Sequence, residues 1–290
     1  MRKRTFIGAM VFVVIIPAII VKSYFFHPKF YPLKSWFFAW AGDTRIIESD
    51  KNTISKAELK RLRSLVRPGD IFLNRCNYYI SNFAIPGFWT HAGLYVGSQE
   101  DRDEFFSGDV ETMNWVRSKR IASGNFDELL SRLFDKKSKK HKMNWREMTI
   151  IESISEGVVF STFESGAAKD GIVVLRPRIS KREMAEAIYK AFSYVNKPYD
   201  YNFDFSTDTA IACTELVYKV YEKSTLFPVN DMFGKPFSTA NEIAEYCDAN
   251  YGKKGLKLSL AYIFDGKKAY THENDAAHLI FRNSWKSSLW

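Results

Sequence analysis

The sequence is poor in cysteine and contains none of the short motifs that bind metals or nucleotides. Its three cysteines, Cys76, Cys213 and Cys247, are too few and too scattered for a disulfide scaffold, and none has the CxxC or Cys/His spacing of a metal site. No GxGxxG or Walker motif occurs either. We therefore expect no metal and no cofactor. At least one thiol must stay unpaired within the chain.

Signals for nucleic-acid recognition are also missing. The formal net charge of +9 would suit a nucleic acid, an anionic membrane surface or an anionic cell-wall polymer, because net charge sets long-range attraction without choosing the partner. The chain has no zinc-finger spacing, no Arg-rich helix and no base-stacking signature, so we expect no nucleic-acid partner. With 290 residues and 46% hydrophobic content it can bury one substantial core, which favours one main domain.

The amino terminus carries a membrane signal. Arg2, Lys3 and Arg4 precede the apolar run Phe6–Val21, as in an export signal, but no small-x-small cleavage site follows. We interpret residues 1–26 as a membrane anchor or uncleaved signal that forms one transmembrane helix. Under the positive-inside rule the basic cluster stays cytoplasmic. This predicts a single-pass protein of the inner (cytoplasmic) membrane whose folded domain lies on the outer, periplasmic side.

Residues 27–53 are predicted to form an aromatic juxtamembrane linker. The segment Tyr24–Trp40 mixes Phe, Tyr and Trp with a few cations, as expected of a stretch that rests at the level of the lipid headgroups. An aromatic linker that packs on the folded domain fits the same composition. Both alternatives stay open.

Residues 54–290 show the patterns of an α+β domain. Short β-rich apolar runs bounded by turn residues predict strands over 70–74, 92–97, 148–154, 171–175 and 256–264. Apolar residues at helical spacing predict helices over 55–65, 181–194, 210–223 and 238–246, the last with Ser238 as its N-cap. We expect an antiparallel sheet packed against helices.

Between residues 99 and 147 the pattern dissolves into a charged stretch, which we interpret as an insertion. Its basic run, residues 135–142, is typical of a solvated loop. Four aromatic residues argue against complete disorder and leave a partly ordered lid or rim as the alternative: Phe105, Phe106, Trp115 and Trp145. Such an insertion could cover, narrow or extend a nearby cleft.

Three candidate catalytic residues lie at the ends of predicted elements. His91 opens a strand, Glu152 ends another strand, and Cys213 lies near the start of a helix, where the helix dipole favours the thiolate. A histidine within reach can accept the thiol proton and later protonate the leaving group, while an acid behind it orients the ring. Taken singly, each of these residues is weak evidence for catalysis.

Several motifs in a fixed order resemble a known family. They are RPGDIFL (67–73), WTHAGLYVG (89–97), IIESISEGV (150–158), VLRP (174–177), KPYDY (197–201) and CTELV (213–217). With the histidine first, then the acid and then the cysteine, the chain resembles the permuted papain-like amidases of the YiiX/YebB-like group. These are relatives of the NlpC-type cell-wall hydrolases and of lecithin retinol acyltransferase. The resemblance implies a circularly permuted papain-like fold.

The resemblance also implies roles for the site residues. Cys213 is expected to be the nucleophile, His91 its general base and Glu152 the acid that orients His91. Glu156 and Glu215 lie near enough in sequence to compete for the last role.

An oxyanion site is the remaining expectation. The backbone amide of Cys213, together with a hydroxyl such as that of Tyr199 or Tyr201, could stabilise the oxyanion that forms on attack. In the alternative interpretation both tyrosine rings simply pack against the strands.

The activity implied by the resemblance is thiol-dependent hydrolysis of an amide bond, as an amidase or peptidase, outside the cytoplasm. Cell-wall peptides are the expected substrates, and the reaction proceeds through an acyl-enzyme on Cys213. Acyl transfer to or from a lipid uses the same mechanism, because an alcohol or amine can resolve a thioester. A non-catalytic binding module held at the membrane is the hypothesis from another class.

Overall fold

The computed structural model describes residues 30–47, 54–83, 85, 87–134, 144–232, 235–271 and 275–287. The predicted membrane anchor over residues 1–26 and the basic run 135–142 lie outside these ranges. Within the ranges, no helix is both long enough and apolar enough to cross a membrane.

Among the described residues, one antiparallel sheet of seven strands lies at the centre of the domain. Its strands are Ile71–Arg75 (β1), His91–Tyr95 (β2), Ile150–Ile154 (β3), Gly157–Ser161 (β4), Gly171–Pro177 (β5), Leu258–Phe264 (β8) and Ala269–Thr271 (β9). Their order in the sheet is β4-β3-β2-β1-β5-β8-β9. A separate two-stranded ribbon joins Asn230–Met232 (β6) and Lys235–Phe237 (β7). All five predicted strands are confirmed, with ends shifted by one or two residues.

Helices cover the sheet. They are Tyr31–Asp43 (α1), Lys56–Leu65 (α2), Gln99–Phe106 (α3), Val110–Ser118 (α4), Phe126–Phe134 (α5), Phe163–Ala167 (α6), Lys181–Tyr194 (α7), Cys213–Tyr221 (α8), Ala240–Ala249 (α9) and Asp275–Lys286 (α10). The four predicted helices are confirmed, but Ser238 is not the N-cap of α9. Thr239 takes that position, because its hydroxyl accepts a hydrogen bond from the backbone N–H of Glu242.

The two faces of the sheet bury different side chains, because side chains alternate along each strand. On one face, α7 and α8 pack against residues such as Ile71 and Leu73 of β1. On the other face, α2 and α6 pack against Phe72. Since both faces are covered, every residue of β1 is buried.

The predicted insertion over residues 99–147 is mostly helical where the structure describes it, although no helix was predicted there. These residues form α3, α4 and α5, which pack against one another, with α4 and α5 also packing against α7. Arg102 and Asp127 form a buried ion pair between α3 and α5, with Nε 2.6 Å from Oδ1. The helices form because their inward faces bury three aromatic side chains, Phe106, Phe126 and Phe134, and Phe134 also packs against Trp145.

Part of the predicted juxtamembrane linker is a helix that packs on the domain. Pro32 lies in the first turn of α1, where its missing N–H costs no hydrogen bond. The Tyr31 hydroxyl donates to the carbonyl oxygen of Tyr199 at 3.4 Å, and Lys34 Nζ donates to Asn202 Oδ1 at 2.8 Å. These contacts hold α1 against the segment that precedes α8.

Candidate active site

His91 and Glu152 meet because two neighbouring strands place them on the same face of the sheet. His91 is the first residue of β2, and Gly93, two positions later, lies opposite Glu152 of β3. His91 and Glu152 are therefore diagonal neighbours, a separation that long side chains can bridge. His91 Nε2 lies 2.8 Å from Glu152 Oε2.

Ser161 holds the other oxygen of Glu152. It is the last residue of β4, which pairs with β3, and its hydroxyl donates to Glu152 Oε1. Burial alone would raise the pKa of Glu152, but the hydrogen bond and charge of His91 lower it to about 2. Glu152 is therefore an anion at neutral pH and can fix the orientation of the His91 ring.

Cys213 is the first residue of α8, which packs across β2 and β3. The helix begins here because Ala212 is extended and its backbone N–H donates to Glu215 Oε2 at 2.9 Å. The position at the helix start exposes the thiol to the positive end of the helix dipole, which stabilises negative charge on sulfur.

The Cys213 thiol is hydrogen-bonded to His91 and to the backbone N–H groups of Ala92 and Thr214. Burial alone would raise the pKa of Cys213, but His91 and these N–H groups lower it below its usual value. Burial would likewise lower the pKa of His91, whereas Cys213 and Glu152 raise it to about 9. The lowered pKa of Cys213 and the raised pKa of His91 both favour a thiolate–imidazolium pair at rest, which is the reactive state of a cysteine nucleophile.

The two competing acids accept hydrogen bonds from other groups, Glu156 from Ser155 and Glu215 from the backbone of Ala212. Glu156 is exposed in the turn between β3 and β4. Glu215 is buried in the first turn of α8, where burial and the charge of Asp200 raise its pKa to about 8. The structure thus brings Glu152, and neither competitor, into hydrogen-bond contact with His91.

Tyr199 and Tyr201 occupy different positions. The Tyr199 hydroxyl is hydrogen-bonded to Cys213, and burial together with the Cys213 charge raises the pKa of Tyr199, so the hydroxyl keeps its proton. The Tyr201 hydroxyl donates to the carbonyl oxygen of Ser155 at 3.3 Å, and its ring stacks on Phe38 of α1. Tyr199 is therefore placed to donate to a developing oxyanion, while Tyr201 supports the wall of the site.

A cleft of about 580 Å³ opens at these residues. The catalytic side chains line it together with Phe38, Gly42 and Asp43 of α1. None of the described residues between 99 and 147 lines the cleft, so this part of the chain is not the lid that the sequence left as an alternative. It faces α7 instead, because its aromatic side chains are buried there.

Sequence reasoning missed three polar residues of the site, Asn74, Ser161 and Lys169. Asn74 lies opposite His91 in the β1–β2 pairing, and among the described residues its Oδ1 has no hydrogen-bond partner. Asn74 and Lys169 both line the cleft. The sequence did contain a signal for Ser161. The Gly that follows Ser155 and Glu156 predicts a hairpin turn, and the second strand of that hairpin, which ends at Ser161, runs back beside Glu152.

The comparison with protein-family models agrees with the motif analysis. The sequence model of the permuted papain-like amidase enzymes, the YaeF/YiiX, C92 family, matches residues 65–245, a range that contains Cys213, His91 and Glu152. A solved structure, the crystal structure of metalloprotein yiiX from Escherichia coli O157:H7, is similar with a TM-score of 0.36 and 15% sequence identity, covering 74% of this chain and 92% of that chain. No curated protein matches the chain.

Proposed function

Because the chain belongs to the permuted papain-like amidase family, we propose that it is a cysteine hydrolase that cleaves an amide bond, as an amidase or peptidase, through an acyl-enzyme on Cys213. The observation that carries the proposal is the connected group Cys213–His91–Glu152. Within this group the pKa of the thiol is lowered and that of the imidazole is raised. A buried cysteine without such a partner has a raised pKa and is inert.

Acylation uses the resting ion pair. The Cys213 thiolate attacks the carbonyl carbon of the substrate, and the electrons of the carbonyl double bond move onto oxygen. As the tetrahedral intermediate collapses, the C–N bond breaks and the His91 imidazolium gives its proton to the leaving nitrogen. The amine departs, leaving a thioester on Cys213 and a neutral imidazole.

Deacylation reverses the proton transfer. His91 takes a proton from water while the water oxygen attacks the thioester carbon. The C–S bond then breaks, the acid product leaves, and the thiolate–imidazolium pair is restored. In both halves, Tyr199 and the backbone amide at the start of α8 donate to the transient oxyanion.

Lipid acyl transfer is the second candidate function. The wall formed by Phe38 and Tyr201 gives the cleft an aromatic surface, which suits an acyl chain. In that reaction an alcohol or amine, in place of water, resolves the thioester on Cys213. The binding-module hypothesis has less support, because binding alone does not require a thiol of lowered pKa.

The site of action is part of the proposal. We place the enzyme at the inner membrane, held by one helix over residues 1–26, with the domain on the periplasmic side, where cell-wall peptides offer amide bonds. The basic cluster before the apolar run and the net charge of +9 support this placement.

The test compares the three thiols of the full-length protein. Burial raises the pKa of Cys76, and burial raises the pKa of Cys247 to about 12, so both serve as internal controls. At neutral pH, iodoacetamide should modify Cys213 at least about tenfold faster than either control, as measured by mass spectrometry. Equally slow modification of all three thiols would contradict the proposal that the protein is a cysteine hydrolase. Release of a free amine from wall peptides, or of an acyl chain from lipids, then separates the two candidate reactions.

A further inference from the structure

The outer face of α1 carries an exposed apolar stripe, formed by Leu33, Trp36, Phe37 and Trp40. These residues follow the spacing i, i+3, i+4 and i+7, which places them along one side of a helix. Their exposed fractions are 60%, 64%, 42% and 46%. Large aromatic side chains are seldom left in water at such density, so the stripe marks an interaction surface.

Other positions of α1 are held to the domain by polar contacts. Lys34 is 4% exposed and donates to Asn202, and the hydroxyl of Ser155 donates to Asp43 Oδ1 at 2.8 Å. The one cation of α1, Lys34, therefore faces the protein, while Trp36 and Trp40 are exposed. A rigid attachment of this kind fixes the direction in which the stripe points.

The same helix lines the catalytic cleft. Phe38, Gly42 and Asp43 form part of the cleft wall, and Phe38 stacks on Tyr201 with ring centroids 6.3 Å apart. The stripe and the cleft therefore lie on two sides of one helix. A binding partner that covers the stripe would therefore also lie beside the cleft.

We propose that α1 is an interfacial helix whose stripe inserts into the headgroup region of a lipid bilayer and holds the cleft against that membrane. Tryptophan and other aromatic residues are the side chains preferred at this depth. Ile46 and Ile47, 54% and 52% exposed, follow the helix and extend the apolar surface.

The position of α1 in the chain identifies the occupant as a bilayer. The apolar run Phe6–Val21 ends shortly before Phe30, the first described residue. Residues 22–29 can reach at most ~30 Å even when fully extended. If the apolar run lies in a membrane, α1 is confined to the surface of that membrane.

The placement of the cleft at a membrane has a consequence for the substrate, and that consequence rests on the proposed function. A cleft held against a bilayer receives molecules that are anchored in it. The substrate class is therefore an amide or ester carried by a membrane-held molecule, such as a lipid-linked peptide or an acylated lipid headgroup. A small soluble amide would gain nothing from this placement.

The test uses full-length protein reconstituted in vesicles of phosphatidylcholine and phosphatidylglycerol whose acyl chains carry bromine at a shallow or a deep position. Residues 1–29 contain no tryptophan, so the membrane anchor itself is silent in this assay. Shallow bromine should quench tryptophan emission more than deep bromine. Most of the quenchable emission should be lost in the double variant Trp36→Phe, Trp40→Phe, which keeps the stripe apolar but removes the reporters.

Two leucine variants form a matched pair. Leu33→Glu introduces a charge into the stripe and should abolish most of the shallow quenching. Leu279→Glu introduces the same charge at an equally exposed leucine, 58% exposed, on α10, and should leave the quenching as in the wild type. Absence of quenching in the wild type would overturn the proposal. So would a wild-type dimer that Leu33→Glu converts to monomer, because a second copy would then cover the stripe.

Iodoacetamide modification of Cys213, measured on the same wild-type vesicles, separates this inference from the proposed function. Quenching without selective modification of Cys213 would keep the membrane docking and reject the hydrolase. Selective modification without quenching would keep the hydrolase and reject the docking. Quenching together with selective modification is the expected result.

Discussion

His91 Nε2 lies 2.8 Å from Glu152 Oε2, although 61 residues separate the two in the chain. This hydrogen bond leaves Nδ1 as the ring nitrogen that is available to the Cys213 thiol. The orientation of the ring and its affinity for a proton therefore both depend on Glu152. Because the contact is diagonal across β2 and β3, it also depends on the register of those strands.

His91→Ala should make Cys213 a much poorer nucleophile. Without the imidazolium, burial dominates and the pKa of Cys213 rises, so less thiolate is present at neutral pH. Each unit of that rise lowers the modification rate about tenfold. The measurement is the rate of iodoacetamide modification at Cys213 between about pH 5 and about pH 10.

Glu152→Gln should have a smaller effect of the same sign, because the amide keeps a hydrogen-bonding oxygen but removes the anion that helps to raise the pKa of His91. The imidazolium would then persist over a narrower pH range. If the wild type and both variants gave the same pH profile, the assignment of base and acid would fail.

Ser161→Ala should weaken the site through Glu152 without touching substrate. A hydrogen bond to a buried carboxylate contributes about 1.5–3 kcal/mol, so its loss should raise the pKa of Glu152 and loosen the His91 ring. We expect kcat to fall about tenfold and the acid limb of the pH–rate profile to move upward. Ser161→Thr keeps the hydroxyl and should restore most of the activity. Equal loss in both variants would indicate a packing role instead.

Tyr199→Phe should lower kcat for amide cleavage about a hundredfold, in the range found for removing one oxyanion donor. Its matched control is Tyr201→Phe, because the Tyr201 hydroxyl donates to the Ser155 carbonyl rather than to the reacting centre. Steady-state kinetics on one amide substrate compare the two variants. A larger loss in Tyr201→Phe would assign the oxyanion role to the other ring.

Glu215 should make stability depend on pH. Burial raises its pKa from 4.5 to about 8, so the unfolded chain releases the proton at lower pH than the folded chain does. Stability from this group is present below about pH 4.5 and is lost as pH rises toward about 8. Glu215→Gln keeps an acceptor for the Ala212 N–H and should flatten the dependence of Tm on pH over that window. The exposed variant Glu156→Gln should leave it unchanged.

Phe134→Ala should show that residues 99–134 belong to the main core. Phe134 packs against Trp145, Phe160 and Phe192 with ring centroids 5.9, 5.2 and 6.3 Å apart. Loss of a buried phenylalanine costs about 3–5 kcal/mol. Urea unfolding should therefore lose that much in one cooperative transition, whereas Val110→Ala, at a position 65% exposed, should change little. A normal stability for Phe134→Ala would mean that this segment folds independently.

Sequence patterns predicted those helices and strands whose formation depends on the spacing of apolar residues within the segment itself. The helix predicted over 181–194 matches α7 residue for residue, because its apolar periodicity lies within the segment. The capping box of Ser180 and Glu183, which starts the helix, is equally local. The same patterns predicted no helix over residues 99–134, where the structure has three. There the charged outer faces of three short helices hid the aromatic inner faces, which are stabilised by tertiary contacts with one another, with α7 and with Phe160 of β4.

The sequence by itself determined the family and the order of the candidate groups, because the motifs around His91, Glu152 and Cys213 are contiguous residues that can be read without a fold. Only the tertiary structure decided which acid faces His91, since the register of β2 on β3 selects Glu152 over Glu156 and Glu215. It also decided that α1 packs Lys34 and Phe38 inward and leaves Trp36, Phe37 and Trp40 exposed. Composition cannot determine that orientation, because it depends on Asn202 and Tyr201, which the chain brings to α1 from about 170 residues away.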